Sequence, residues 1–290
     1  MGNLRNFLNY MALKKIRLVS FLIFGSRKGL YTPLGSFISP KEVEAQQSMK
    51  IEAAVGEIKE YLRVSEVKAP LVRMGSTNDG GYVMAEQSFS DSFLISGGIE
   101  TNNDFEIALA AQGASGVEID FSISAPPIQH PRLSFLPLKI VGASESGPGA
   151  IRIESLISDH IQGAFRENSM NILKLDIEGS EWDALNTNVD FSLFSQILLE
   201  LHYFNRLVEE DFLATAVKVL REINKTHVAV FLSGNNCCGY SILGGHALPN
   251  VMEVTFVSRE KFEIRETLEP HSSSGLKTRN IKNRAAISFW

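Results

Sequence analysis

A chain of 290 residues with 44% hydrophobic content can bury the core of one large α/β domain, or of one domain with an extension. Its net charge of -5 argues against a nucleic-acid binder, which needs a basic surface. The two cysteines, Cys237 and Cys238, are adjacent, which is neither a disulfide framework nor metal-ligand spacing. Two reduced residues in a reducing cytoplasm are the simplest reading.

Residues 1–40 read as a basic and apolar extension with helical character. Lys14, Lys15 and Arg17 precede the apolar run 18–24, and Arg27 and Lys28 follow it. The run is too short to span a bilayer, which takes ~20 residues in a helix. It lacks the cleavage site of a signal peptide, and Asn6 stands where a myristoylation signal needs Ser or Thr. A helix lying on a membrane surface fits it, and so does a helix packed on the domain or on a second subunit. A main domain over residues 41–260 and a polar, basic tail over 261–290 follow.

From Lys41 the spacing of Ile51, Val55, Ile58 and Leu62 predicts a helix with one apolar face. Apolar runs at 93–96, 117–119, 133–141, 172–175 and 197–201 then read as strands. Helices are expected between most of them, at 104–112, 154–161, 181–185 and 207–223. Strands alternating with helices predict a mostly parallel sheet covered on both faces. The runs 227–232 and 251–257 have no helix between them, so a terminal antiparallel pair is expected.

Two turns at strand ends carry chemistry. Phe93-Leu-Ile-Ser-Gly-Gly-Ile-Glu100 is a strand running into a glycine turn, so Ser96, Gly97, Gly98 and Glu100 are candidate cofactor contacts. Asp120 ends the next strand, 22 positions after Gly98, where an acid can accept the hydroxyls of a ribose. A cap on the following turn is its structural alternative. A full Gly-x-Gly-x-x-Gly is absent, and Glu100 would repel a pyrophosphate. The cationic sulfonium and amino groups of S-adenosylmethionine suit that acid better.

Leu173-Lys-Leu-Asp-Ile-Glu-Gly-Ser-Glu-Trp182 is the most informative stretch. An apolar strand ends in Asp176 and Glu178, and a helix begins with Glu181. On the next strand Glu200 and His202 alternate with apolar neighbours and so share one face. His202 is a candidate base, with Asp176 or Glu178 orienting it or the acceptor. A cap at Asp176 and a pairing of Glu178 with Lys174 or Arg73 are the structural alternatives. Asp176, Glu178 and Glu200 offer oxygens of the kind Mg²⁺ takes. Simple hydrogen bonding fits the spacing equally, and no metal is assigned. Arg73 and Asp79, around an Asp-Gly hairpin turn, and Asn235, in the polar loop 233–250, are candidate acceptor contacts.

The chain resembles the FkbM-type methyltransferases over roughly residues 71–257. The block Leu173-Lys-Leu-Asp-Ile-Glu-Gly-Ser-Glu-Trp182 is similar to that family's Lys-x-Asp-x-Glu-Gly-x-Glu. Arg73-Met-Gly with Asp79-Gly-Gly-Tyr82 resembles its entry block, and Ser96-Gly-Gly-Ile-Glu100 with Asp104-Phe-Glu106 its cofactor loop. The resemblance implies a Rossmann-like, seven-stranded methyltransferase sheet with an antiparallel terminal hairpin. It further implies S-adenosylmethionine as cofactor, with Gly97, Gly98, Glu100 and Asp120 around it. The expected reaction is methylation of a hydroxyl on a sugar, glycan or small metabolite. A nucleotide- or nucleotide-sugar-dependent Rossmann enzyme and a non-catalytic cofactor-binding module are the competing readings.

Overall fold

The computed structural model describes residues 45–166 and 169–265, together with Leu276 and Asn280. The extension over residues 1–40 and most of the tail lie outside the described residues. The centre is a seven-stranded mixed sheet. We number its strands β1 Phe93–Gly97, β2 Ser115–Ile119, β3 Leu133–Leu136, β4 Ile172–Leu175, β5 Gln196–Leu201, β6 His227–Gly234 and β7 Met252–Ser258. Their spatial order is β6-β7-β5-β4-β1-β2-β3. β3 to β5 and the strands between them are parallel, while β7 runs antiparallel to both β5 and β6. This is a Rossmann-like arrangement, and the terminal antiparallel pair stands where the sequence put it.

Among the described residues the α-helices of five or more residues are α1 Ala45–Tyr61, α2 Asp104–Ala111, α3 Glu181–Leu185 and α4 Glu210–Asn224. Alternation along the strands divides the core. Ile95, Leu173, Ile197 and Leu199 join one apolar cluster with Ile51, Val55, Ile58 and Leu62 of the α1 region and with Val219, Leu220 and Ile223 of α4. Leu94, Ile172 and Leu198 point the other way, onto Phe105 and Leu109 of α2 and Tyr82 and Met84. The latter two belong to the hairpin Leu71–Gly75 and Gly81–Ala85, which turns through Asp79-Gly80. β1, β4 and β5 are buried along their whole length, as central parallel strands must be.

Two expectations are corrected. The run 133–141 is not one strand, because Pro137 has no N–H to extend the ladder. β3 stops at Leu136, and Lys139–Ile140 pairs instead with Ala150–Ile151. The expected helix 154–161 is a short helical segment Ile153–Ser155 that widens into the π-type turn Leu156–His160. Among the described residues, no helix is long and apolar enough to cross a membrane.

The chain path creates a reversal. From β1 it moves outward to β2 and β3, then returns across the sheet to β4 on the other side of β1. The carboxyl ends of β1 and β4 therefore lie side by side at a switch point, and the crevice above such a point is where open α/β sheets bind ligands.

Candidate functional site

The glycine turn after β1 and the acidic turn after β4 lean on each other. The Asp176 N–H donates to the Gly97 carbonyl at 3.0 Å. Gly98 has φ +77, and a Cβ there would collide with the Asp176 carbonyl oxygen. Only glycine has both the backbone freedom and the missing side chain that this position demands. Ser96, Glu118 and Lys174 occupy one register row on β1, β2 and β4 beneath the turn. The Lys174 ammonium donates to the Gly98 carbonyl and lies 3.8 Å from Glu106.

This row removes one candidate contact. Ser96 is fully buried and its hydroxyl donates to Glu106 at 2.5 Å, so it supports the turn from below. Lys174 pairs with Glu106 and not with Glu178, for the same reason. Gly97 and Gly98 form the turn itself, and Glu100 stands exposed at its end with φ 39.

Asp120 also departs from its expected role. Its Oδ2 accepts from the N–H groups of Ile99 at 3.0 Å and Glu100 at 2.8 Å. Its Oδ1 accepts from the N–H of Ser122 at 2.8 Å and the Ser122 hydroxyl at 2.6 Å. A carboxylate has about four lone-pair positions, so none is left for a ribose in this conformation. Burial alone would raise this carboxyl, but the four hydrogen bonds outweigh it and hold it below its ordinary value. Asp120 is a clamp on the glycine turn. Its neighbour Phe121, which the sequence reading passed over, is 64% exposed at the same strand end.

Beside the glycine turn lies the acidic one. Asp176 is half-buried at the end of β4, and its Oδ2 accepts the Tyr82 hydroxyl at 2.5 Å. Glu178 has φ 55 and an exposed carboxylate whose Oε2 lies 3.6 Å from His202 Nε2. Glu181, the first residue of α3, is fully buried. Its Oε1 accepts from the N–H groups of Ile177 at 2.8 Å and Gly179 at 3.2 Å, and lies 3.2 Å from His202 Nδ1. Its Oε2 has no hydrogen-bond partner among the described residues. His202 follows β5, and its carbonyl accepts the Trp182 indole N–H at 2.7 Å. Glu200 Oε1 lies 3.7 Å from His202 Nε2 and accepts from Asn235 Nδ2 at 2.8 Å.

His202 is therefore not poised as a base. Burial disfavours its charged form, yet the hydrogen bond and charge of Glu181, followed by Glu200 and Asp176, raise it to about 9. Glu200 is itself pushed well above the carboxylate range, first by burial and then by Asp176 and Glu253. The protonated ring is the favoured form, which works against a role as base.

Two further residues complete the cluster. Glu253 of β7 stands opposite Glu200 across the β5–β7 pair, and burial raises it to about 7. No strand-local pattern marked it, because only the antiparallel return of β7 brings its first residues to this edge. Arg73 turns inward, donating to the carbonyls of Ser76 at 3.0 Å and Asn78 at 2.7 Å, so it braces its own turn. Asp79 is exposed on that turn. Asn235 accepts the Cys237 N–H at 2.9 Å while holding Glu200. Cys237 and Cys238, expected to be reduced, are joined in a vicinal disulfide that closes an eight-membered ring across their shared peptide bond.

No family model and no curated protein matches the chain. Among solved structures it is similar to one titled "Putative hemolysin from Streptococcus thermophilus". The identity is 11%, over 71% of this chain and 82% of that one, with a TM-score of 0.33. A likeness at that level carries no argument about function.

Proposed function

We propose that the protein is an S-adenosylmethionine-dependent methyltransferase acting on a hydroxyl group, in line with its resemblance to the FkbM-type enzymes. The observation that carries the reading is the chain reversal, which sets the Gly97-Gly98 turn and Asp176 side by side at the carboxyl edge of the sheet. A parallel sheet closed by an antiparallel final strand also suits the seven-stranded class of methyl-transfer domains.

In this reading the backbone at Gly98 receives the cofactor and the exposed Glu100 faces its cationic groups. Phe121 offers a flat apolar surface for the adenine. The acceptor oxygen must sit in line with the methyl carbon and the sulfur, in a crevice closed to water. The oxygen bonds to the methyl carbon, the carbon–sulfur bond breaks, and sulfur keeps the electron pair as a neutral thioether. Asp176, half-exposed and oriented by Tyr82, receives or directs the hydroxyl proton. His202, set among Glu178, Glu181 and Glu200, is engaged by its acidic neighbours, and Asp176 takes the acceptor's proton in its place. Sugar, glycan and small-metabolite hydroxyls all satisfy this chemistry.

The test is calorimetric titration of the purified protein with S-adenosylmethionine and S-adenosylhomocysteine, with NADH as control. Micromolar binding of the adenosyl ligands, weakened in Glu100→Gln at the exposed acid of the turn, is the expected result. Tight NADH binding with no response to the adenosyl ligands would transfer the proposal to a nucleotide-dependent enzyme.

A further inference from the structure

We infer that Asp176, Glu181 and His202 form a binding site for one divalent cation of the Mn²⁺ or Zn²⁺ class. One ligand atom from each residue lies within 4.8 Å of the others. Neighbouring ligands bonded at ~2.1 Å around one cation are about 3.0–3.4 Å apart, so side-chain rotations of the order of an ångström close the set. The three side chains come from different elements: the end of β4, the start of α3 and the end of β5. The turn through Ile177 and Gly179 sets Glu181 near Asp176, and the pairing of β5 with β4 adds His202.

The independent sign of a ligand is Glu181. It is fully buried, and backbone N–H groups of Ile177 and Gly179 fix the orientation of its carboxylate through Oε1. Oε2 is left bare among the described residues. A buried carboxylate oxygen without a partner is costly, and an ion or an ordered water is what normally supplies one. The surroundings favour a cation. Glu178 and Glu200 lie 3.6 and 3.7 Å from His202 Nε2, and Glu253 pairs in register with Glu200. Arg73, the other cation of the cluster, directs its Nε and one Nη to carbonyls of its own turn.

The donor set selects among cations. Two carboxylates and one imidazole, which gives up its second proton as the metal binds, suit Mn²⁺ or Zn²⁺ better than Mg²⁺ or Ca²⁺, which prefer oxygen alone. Half-buried Asp176 leaves an open side toward the crevice for water or an acceptor oxygen. The Trp182 indole, held on the His202 carbonyl, fixes the backbone that carries the ring. The ligand set differs from the one the sequence suggested: Glu178 is exposed and Glu200 is tied to Asn235, so Glu181 takes the place of both.

The experiment reads metal directly, so it is independent of whether the protein transfers methyl groups. Full-length protein is stripped with a chelator, dialysed, and titrated with Mn²⁺ while the electron paramagnetic resonance signal of free Mn²⁺ is followed. Zn²⁺ and Mg²⁺ are titrated calorimetrically in parallel. One equivalent of Mn²⁺ or Zn²⁺ bound in the micromolar range is expected, with Mg²⁺ at least tenfold weaker. Glu181→Gln retains an acceptor for the two N–H groups and should weaken binding at least tenfold. Asp176→Asn should do the same, and Glu145→Gln at a remote exposed acid should change nothing. Nitrogen hyperfine coupling on the bound Mn²⁺ of the unmutated protein tests His202 even where a variant fails to fold. Absence of stoichiometric binding below millimolar metal, equal binding in all variants, or bound Mn²⁺ without nitrogen coupling would each overturn the site. Titration with S-adenosylmethionine in the presence of chelator tests the methyltransferase reading separately.

Discussion

The Tyr82 hydroxyl donates to Asp176 Oδ2 at 2.5 Å, joining the hairpin that precedes the sheet to the end of β4. Tyr82 is 5% exposed and its ring meets Phe105 edge-on, so the hydroxyl is held by packing. Tyr82→Phe keeps the packing and removes one hydrogen bond to a carboxylate. We expect a stability loss of about 1.5 kcal/mol by urea denaturation. Turnover should fall further than that figure implies, because Asp176 loses its orienting partner. Unchanged turnover would take Asp176 out of the reacting centre.

Gly98→Ala should be severe. The new methyl group meets the Asp176 carbonyl at a φ that L residues avoid, so the two turns must separate. We expect a loss above about 3 kcal/mol, or failure to fold, read by thermal melting. Gly163→Ala, where a Cβ meets nothing within 4 Å, is the matched control and should stay within about 0.5 kcal/mol.

Asp120→Ala distinguishes a clamp from a ribose ligand. A clamp predicts that the ligand-free protein loses about 2 kcal/mol, since four hydrogen bonds end on this carboxylate. The folded carboxyl titrates below its unfolded value, so its contribution is present above about pH 3.9. It is lost as pH falls through the lower, folded value. Normal stability without ligand, with weakened cofactor binding, would restore the ribose role.

Two buried groups set opposite pH slopes. Burial pushes His227 down to about 4 from 6.5, with its Nε2 3.1 Å from the Phe194 carbonyl. The unfolded chain binds the extra proton between those values, so stability falls as pH drops through that window. Burial pushes Glu118 up to about 7 from 4.5. There the folded chain binds the extra proton, so the contribution is full below pH 4.5 and is lost as pH rises through 7. Glu118→Gln keeps an acceptor for Asn103 and should flatten the second slope, by at most about 3 kcal/mol at pH 8. His227→Gln should flatten the first. Denaturation midpoints between pH 4 and pH 8 check both, and parallel curves for variant and parent would refute the assignment.

Much of the frame was legible because it rests on period and punctuation. β4 and α3 coincide with the expected runs 172–175 and 181–185, and alternation divides β1 into its two faces. Pro137 was visible too, yet the apolar run around it was read as one strand; a missing N–H outweighs hydrophobicity at a sheet edge. The site was legible in membership more than in role. Asp176, Glu178, Glu200 and His202 do gather at one edge. Glu181 was noted only as a helix-opening acid, because its reach back to Ile177 and Gly179 depends on the turn between them. Asp120 and Ser96 were assigned outward because spacing reports position along a strand and not the partners a side chain finds on folding.

Among the described residues, three non-glycines adopt left-handed backbone: Glu100, Glu178 and Tyr203. All three sit just beyond carboxyl ends of β1, β4 and β5, around the one crevice. Each carries a conformational cost of about 1 kcal/mol that an ordinary loop would shed. Glycine at Glu100 should thus yield a sturdier protein with a blunter crevice. Selection for heat tolerance alone would erode this rim first, so the surviving side chains there mark where the chain trades robustness for aim.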